Sequence, residues 1–428
     1  MTDDAAQTEP PAPARERHDL IDALRGFALG GVLMVNLASL TLYEFLPDAA
    51  RASLPTAGFD AIALQAMELL VNIKFITLFS LLFGLGFSLQ MERAQAKGGL
   101  ARFVRRLLIL LAIGLIHSYF IWWGDILLTY AVVGLLLVCF RHASNRVLLA
   151  AGLTLALLLP PLLSPYMREV LSEWPKQAEA YAGALVAFSS PSLTEALRGN
   201  IDMANWARVS NWALLCFVLG RFLLGYWAGR RGLLQYPHRH KVLIVRLFWW
   251  CLGIGVAMTV LQFTQAGLRQ HYPLLDSEAS KFLIRVLLRA GPLALGIAYA
   301  TGFALLFLRP WWRRGLGVLA PMGRMALTHY LSQSLIGIGL FYAIGLGIGP
   351  RWGLAGWGLA WVAIFTTQIA LSHWWLARFR FGPMEWAWRS LTYGRRQPMR
   401  YPDAGDGLRL AATSSSSARD AEARSPLS

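Results

Sequence analysis

The chain has 428 residues, of which 56% are hydrophobic and only 15% are charged, and its mean hydropathy is +0.46. Soluble domains carry about 25% charged residues, so this composition excludes an ordinary soluble enzyme, a coiled coil and a disordered chain. The net charge of +16 comes from short basic clusters between apolar runs, a pattern typical of membrane proteins rather than nucleic-acid-binding proteins. The sequence therefore predicts the lipid bilayer as a partner and no nucleic acid, and it leaves the oligomeric state open.

Apolar runs long enough to cross a membrane recur along the chain, each bounded by charges, Pro or Gly. They predict an all-α, polytopic membrane protein with about ten transmembrane helices. The predicted spans are 26–46, 69–90, 107–123, 125–140, 147–163, 209–228, 247–266, 286–308, 326–345 and 354–376.

The distribution of Lys and Arg predicts the orientation of these spans. If the N-terminus is cytosolic, 28 of the 40 basic residues lie on the inner side and eight on the outer side. Because basic residues accumulate in cytoplasmic loops, both termini are expected in the cytosol.

The segments outside the spans predict a simple domain organisation. We expect disordered tails at 1–18 and 401–428, flanking a single transmembrane domain at 19–400. The longest connection, 164–208, shows no strong helical stripe and is interpreted as an outer loop that could cover an outward-facing site. The aromatic and basic segment 381–394 is typical of a helix lying on the inner membrane surface.

Charged residues inside a bilayer are costly and are therefore functional candidates. Asp22 and Arg25 share a helix face, as either a salt bridge or an anion site at the cytosolic mouth of a pocket. Lys74 lies within a span, near an end from which it could snorkel. Arg285 and Arg289 form an i, i+4 pair that could bind an anion entering from outside, or could simply reach the interface.

The span that begins after Arg106 carries a histidine at depth. Eleven residues of helix place His117 about 16 Å from Arg106, near the middle of the membrane. A neutral imidazole at that depth can act as a base or nucleophile, or can hydrogen-bond a neighbouring helix for structural reasons.

Asp125 follows His117 by eight residues, after a glycine that is expected to break the helix. On one straight helix the two side chains would be about 12 Å apart, so the spacing predicts no direct hydrogen bond. Asp125 is interpreted either as an N-cap of the next span or as a group facing a substrate. No His, Cys, Asp and Glu cluster has metal-ligand spacing, so no metal or bound cofactor is predicted.

Several short motifs together resemble the YeiB-like family of bacterial inner-membrane proteins, over about residues 19–400. The motifs are LRGFAL at 24–29, VN at 35–36, KF at 74–75, LFSLLFG at 78–84, GDIL at 124–127, YA at 130–131, GRMALT at 323–328 and the aromatic segment at 382–394. The resemblance implies a multi-pass protein of the bacterial inner membrane.

That family looks like a distant relative of membrane acyltransferases, including heparan-glucosamine acetyltransferase and the surface-sugar O-acyltransferases. The O-acyltransferases carry an Arg followed, after ten residues, by a catalytic His in their first span. Here Arg25 matches the Arg and Asn36 occupies the His position, while Arg106 and His117 repeat the spacing on another span.

The resemblance implies acyl transfer from a cytosolic acyl thioester, such as acyl-CoA as cosubstrate, to an envelope glycan or lipid acceptor. His117 would act as general base or transient acyl carrier, with Asp125 and Arg289 facing the acceptor. The donor would be bound by Asp22 and Arg25 at the cytosolic mouth, with Asn36 lining the pocket; further candidate binding residues are Lys74, Arg106 and Arg285. The alternative is a transporter or permease for a lipid or small metabolite, because intramembrane charges also serve transport.

The predicted orientation is testable with reporters. A fluorescent protein fused to the C-terminus should be active, and alkaline phosphatase inserted near Pro175 should be active, because the first requires the cytosol and the second the outside. Reversed signals at the two positions would overturn the N-in, C-in topology.

Overall fold

The computed structural model describes residues 14–93 and 99–401, and apart from one isolated bridge between Phe379 and Arg400 every regular element in these ranges is helical. Of the predicted tails, residues 1–13 and 402–428 lie outside the described residues, whereas 14–18 belong to the first helix. The helices are α1 (Ala14–Leu40), α2 (Asp48–Ala52), α3 (Ala57–Leu70), α4 (Lys74–Arg93), α5 (Gly99–Ile116), α6 (Leu127–Val138), α7 (Asn145–Leu153), α8 (Leu159–Val170), α9 (Gln177–Phe188), α10 (Leu193–Ser210), α11 (Ala213–Arg230), α12 (Lys241–His271), α13 (Glu278–Phe307), α14 (Pro310–Gly317), α15 (Ala320–Arg324), α16 (Ala326–Phe341), α17 (Leu354–Leu376) and α18 (Pro383–Tyr393).

Seven helical stretches among the described residues are long and apolar enough to cross a membrane. They are Asp19–Leu40, Ala57–Glu92, Asn145–Glu173, Ala213–Arg230, Lys241–His271, Glu278–Phe307 and Leu354–Leu376. The chain is therefore an all-helical membrane protein, but the count of ten spans is not confirmed. Helix α6 has 12 residues and α16 has 16, both below the length of about 20 that a bilayer requires, and α5 begins with several arginines.

The connection at 164–208, expected to be an irregular loop, is helical over most of its length. Helices α9 and α10 form a hairpin in which Gly199 packs against the Ala187 side chain. The Ser192 hydroxyl accepts a hydrogen bond from the Glu195 amide, which stabilises the start of α10. The segment at 381–394 contains helix α18.

Close packing of α4 on α11 holds the centre of the molecule together, and two glycines permit it. A Cβ atom at Gly84 would lie 2.0 Å from the Phe222 carbonyl oxygen, and one at Gly225 would lie 2.0 Å from the Leu81 carbonyl oxygen. The two backbones therefore touch directly, as small residues allow in membrane helices. On the outside of the bundle, α12 packs mainly on α13 and leaves most of its apolar surface exposed, as expected for a surface that faces lipid.

We expect Gly225→Ala to destabilise the protein by about 1–3 kcal/mol, because the added methyl group meets backbone that cannot move aside. Thermal unfolding in detergent measures the effect. Gly253→Ala is the matched control, since nothing lies within 4 Å of a Cβ atom at Gly253. Equal unfolding temperatures for the two variants would contradict this account of the α4–α11 contact.

Candidate functional site

The site begins where α5 widens into a π-helical turn at His117–Ile121 and the chain then reverses. Trp122 is extended, with φ −147 and ψ 123, and ends the helix. The Asn200 amide, from α10, donates hydrogen bonds of 3.0 Å to the carbonyl oxygens of Ser118 and Tyr119. Turns of this kind are frequent at functional sites, because they re-aim side chains that a regular α-helix would direct elsewhere.

The reversal brings His117 and Asp125 into contact, a hydrogen bond that their spacing, about 12 Å on one straight helix, did not predict. His117 Nδ1 lies 2.8 Å from Asp125 Oδ1, while Asp125 Oδ2 accepts a hydrogen bond of 2.8 Å from the Leu128 amide. The contact requires the chain to fold back between the two residues, and it does so at Trp122. Asp125 therefore both caps the first turn of α6 and pairs with the histidine.

Ser334, on α16, completes a chain of three buried polar side chains that we call the Ser–His–Asp relay. Its Oγ lies 3.0 Å from His117 Nε2. The exposed fraction is 0% for the Asp125 side chain, 1% for the His117 side chain and 1% for Ser334. An ionised Asp125 can only accept, so Nδ1 carries the imidazole proton and Nε2 accepts from the serine hydroxyl. In this arrangement the imidazole can take up a proton at Nε2.

One cavity of about 820 Å³ runs beside the relay and includes Asp125 in its wall. At one end, which we call the basic end, it is lined by Arg25, Arg106 and Arg324. At the other, the distal end, its lining is polar and aromatic: Asn36, Ser39, Glu44, Trp122, Trp123, Arg208 and Asn211. Between the ends the wall is mainly apolar, and it includes Leu29, Val32, Phe79 and Phe83.

Helix α1 spans the whole cavity, and this explains why residues far apart in sequence contribute to both ends. Arg25 and Asn36 are eleven residues apart, a rise of about 16 Å along the helix. A Cβ atom at Gly323 would lie 1.8 Å from the Asp22 carbonyl oxygen, so α15 touches the backbone of α1 there. This contact places Arg324 beside Arg25 at the basic end.

The basic end contains more guanidinium groups than carboxylates available to pair with them. Arg25 forms a salt bridge of 2.8 Å with Asp22. The Arg106 guanidinium donates to Gln90 Oε1 at 3.1 Å and lies 4.1 Å from the centre of a Trp388 ring. Arg324 is exposed and makes no hydrogen bond or ion pair within residues 14–93 and 99–401. The basic end can therefore accept an anionic group.

At the distal end, a carboxylate is held by hydroxyl groups. Glu44 accepts a 2.6 Å hydrogen bond from the Tyr181 hydroxyl and another from Ser39. Arg208 contacts the Ser118 hydroxyl and lies 4.6 Å from the centre of the Tyr119 ring. This end offers hydrogen-bonding groups next to aromatic rings.

Four predicted binding residues are not among those that line the cavity: Asp22, which pairs with Arg25, and Lys74, Arg285 and Arg289. Lys74 is buried, and its ammonium group donates a hydrogen bond to the Glu68 carbonyl oxygen, in the last turn of α3. Arg285 donates 3.2 Å hydrogen bonds to Ser164 Oγ and to the Lys281 carbonyl oxygen. Arg289 is also not among the residues that line the cavity. An anion site at Arg285 and Arg289 remains a prediction.

Sequence reasoning missed Ser334, Tyr330 and Glu385. Ser334 lies 217 residues from His117, and a single serine on an apolar helix gives no signal of its partner. Tyr330, one turn before Ser334, lines the cavity, and its hydroxyl accepts a 3.1 Å hydrogen bond from the Ile126 amide. Within the described ranges, no group of three or more His, Cys, Asp or Glu side chains could hold a metal ion.

Glu385, on α18, lines the basic end and caps α16. Its carboxyl accepts hydrogen bonds from the amides of Leu327 and Thr328, at 2.7 and 3.0 Å, and one of 2.5 Å from the Thr328 hydroxyl. Burial raises the pKa of the Glu385 carboxyl above 4.5, and the hydrogen bonds offset this only in part. The protonated form is therefore favoured by folding, and its contribution to stability is lost as the pH rises through the folded-state pKa.

We expect Glu385→Gln to become increasingly stabilising relative to the natural protein as the pH rises from 4 to 8, because glutamine resembles the protonated acid and does not titrate. Glu385→Ala should be less stable than either protein by about 1–2 kcal/mol at every pH, because the cap is lost. Thermal unfolding across this pH range measures both effects. A difference between the Gln variant and the natural protein that does not change with pH would show that burial does not shift this carboxyl.

Comparisons with known proteins show which proteins this chain resembles. A family model described as a protein of unknown function (DUF418) matches residues 228–395. The chain is 33% identical over 412 residues to the uncharacterized protein YxaH of Bacillus subtilis, a match covering 91% of this chain and 97% of that protein. It is 31% identical over 410 residues to the uncharacterized protein YeiB of Escherichia coli, covering 88% and 96%. No solved structure matches this chain.

Proposed function

We propose that this chain, which belongs to the same family as YxaH and YeiB, transfers acyl groups across the bacterial inner membrane. The DUF418 family model matches its residues 228–395. The donor is a cytosolic acyl thioester such as acyl-CoA, and the acceptor is a hydroxyl group of an envelope glycan or lipid. The observation that carries this proposal is that the wall of one cavity includes both a cluster of arginines and Asp125, the aspartate of the relay.

The basic end is suited to the donor. Under the positive-inside rule the cluster of Arg25, Arg106 and Arg324 faces the cytosol. Guanidinium groups bind phosphate oxygens in bidentate fashion, and the nucleotide part of acyl-CoA carries several phosphates. The apolar middle of the cavity then accommodates the pantetheine arm and the acyl chain, with the thioester carbonyl near Asp125.

The relay supplies the proton transfer that acyl transfer requires. A hydroxyl oxygen attacks the thioester carbonyl carbon, and its proton passes to His117 Nε2. The C–S bond then breaks, and the leaving thiolate takes the proton from the imidazolium to become a free thiol. Asp125 stabilises the imidazolium through Nδ1 and keeps the ring in the correct orientation.

A transporter or permease for a lipid or small metabolite is the second candidate, and the same cavity favours it because polar groups line both ends. Transport moves the substrate without breaking a covalent bond. Release of free thiol from acyl-CoA therefore separates the two functions.

We expect His117→Gln to lower acyl transfer by about 10²–10⁴-fold, the contribution typical of a general base. Glutamine can still donate to Asp125 and accept from Ser334, so the fold should be retained. An alanine at this position would instead leave a buried carboxylate unpaired, which costs about 3–5 kcal/mol. Free thiol released from acetyl-CoA or palmitoyl-CoA by the purified protein, with an envelope extract as acceptor, measures the rate.

His329→Gln is the matched control for that experiment. His329 is also buried, and its Nε2 lies 2.6 Å from Ser372 Oγ, but it has no carboxylate partner in the part of the chain that the structure describes and does not line the cavity. This variant should keep transfer within about threefold of the natural protein. Full activity of His117→Gln would contradict the role of His117 as the general base.

We expect Arg106→Gln to raise the KM for acyl-CoA roughly tenfold or more, because a charge-assisted contact with phosphate contributes about 1.5–3 kcal/mol. Its effect on kcat should be small, since Arg106 lies far from the relay. Arg285→Gln is the control, because Arg285 is outside the cavity wall. An unchanged KM in Arg106→Gln, or an equal rise in both variants, would contradict donor binding at the basic end.

A further inference from the structure

The relay has a feature that general-base catalysis alone does not require: its serine hydroxyl is directed at the imidazole and at no other group. Serine and threonine side chains on helices commonly donate to a carbonyl oxygen in the preceding turn. Ser80, Thr259 and Ser372 all do so here, to the residue four positions earlier. Ser334 does not, and among the described residues its hydroxyl has no hydrogen-bond partner other than His117.

A second buried serine–histidine pair, His329 on α16 and Ser372 on α17, has the opposite polarity. The Ser372 hydroxyl donates to the Gln368 carbonyl oxygen at 2.6 Å, so it can only accept from His329 Nε2. That pair is a structural contact between α16 and α17. Ser334, in contrast, is free to give its proton to His117, whose ring is held on the other side by Asp125.

Both ring nitrogens of His117 are engaged, Nδ1 with Asp125 and Nε2 with Ser334. Neither nitrogen is free to carry an acyl group while the relay is intact. Ser334, which stands at the end of the relay, has an oxygen that becomes nucleophilic when its proton leaves.

We propose that Ser334 is the covalent acyl carrier, so that transfer proceeds through an ester on its Oγ. This inference rests on the proposed acyl transfer and specifies its intermediate. In the first step Ser334 Oγ attacks the thioester carbonyl carbon, and its proton moves to His117 Nε2. The C–S bond breaks and the thiolate takes that proton, leaving a free thiol and an O-acyl serine.

In the second step the acceptor hydroxyl, entering from the distal end, attacks the ester carbonyl and gives its proton to His117 Nε2. The bond between the acyl carbon and Ser334 Oγ breaks, and Oγ recovers the proton from the imidazolium. The acceptor leaves as an ester and the relay is restored. No oxidant, reductant or further reactant enters either step.

Tyr330 is the cavity-lining residue that lies nearest to Ser334 along α16. Ser334 is almost completely buried, so a thioester in the cavity reaches it only if a neighbouring side chain moves. Tyr330 lines the cavity one helical turn before Ser334, and its ring centre lies 5.3 Å from that of His117. Its hydroxyl is held by one backbone amide, that of Ile126.

The test is a single-turnover experiment on the full-length protein in lipid nanodiscs, with no acceptor present. The probes are acetyl-CoA and palmitoyl-CoA labelled with ¹⁴C in the acyl group. We expect one labelled acyl group per chain, on the peptide that contains Ser334. An oxygen ester survives neutral hydroxylamine and is released by mild alkali, whereas an acyl imidazole or a thioester is cleaved by neutral hydroxylamine.

Three variants make the assignment specific. Ser334→Ala should acquire no label. Ser334→Cys should acquire a label that neutral hydroxylamine now removes, which also guards against loss of folding in the alanine variant. Ser332→Ala is the matched control on the same helix, since the Ser332 hydroxyl donates to the His329 carbonyl oxygen; it should label as the natural protein does.

The outcomes distinguish a failure of Ser334 as the carrier from a failure of acyl transfer itself. If the natural protein transfers acyl groups but carries no label, if its label is lost in neutral hydroxylamine, or if Ser334→Ala transfers at the natural rate, Ser334 is not the carrier and acyl transfer still stands. If no thiol is released from either acyl-CoA, with or without envelope extract, the proposed function itself fails and the carrier with it.

Discussion

The hydrogen bond between His117 and Asp125 is the constraint on which the rest of the site depends. It closes a reversal of only a few residues between the π-helical turn and α6. It also fixes where α6 starts, because the other Asp125 oxygen caps that helix. A carboxylate this deeply buried is costly unless it is paired and hydrogen-bonded. The arrangement of α5 and α6 therefore depends on the hydrogen bond that the His117 imidazole makes to Asp125. Tyr330 also binds within this reversal, through the Ile126 amide.

The helical hairpin formed by α9 and α10 packs against the same turn. Asn200 holds the carbonyl oxygens of the π-helical turn, and Arg208 reaches both the Ser118 hydroxyl and the cavity wall. Tyr181, from the same hairpin, binds Glu44 at the distal end. The α9–α10 hairpin therefore contacts both the distal end of the cavity and the turn that carries His117.

The sequence was sufficient for features that follow from the regular rise of a helix. Arg25 and Asn36 both line the cavity because α1 is continuous between them, and the rise of the helix relates their positions; Arg106, on α5, also lines it. The contact between His117 and Asp125 could not be obtained in this way, because it depends on the direction that the chain takes after Trp122. The contact with Ser334 depends on how α16 packs, and no local pattern encodes that.

The helical hairpin at 164–208 is a different case, since part of its signal was present in the sequence. Ser192 and Glu195 form the S-x-x-E pattern that marks a helix start, and the serine does accept from the Glu195 amide. Lys74 shows the converse. Its charge inside a predicted span made it a candidate binding residue; in the structure its ammonium group donates to the Glu68 carbonyl oxygen, and Lys74 is not among the residues that line the cavity.

We propose that acyl groups cross the membrane from the basic end to the distal end, and measuring the sidedness of transfer tests this. Acyl-CoA does not cross membranes, so labelled acyl-CoA is supplied to inverted vesicles and, separately, to right-side-out vesicles, with vesicles that contain His117→Gln as the baseline. We expect ester-linked label on glycan or lipid only in inverted vesicles, where it should be protected from esterase added outside. Equal labelling in both orientations, or uptake of an unmodified molecule without thiol release, would contradict it.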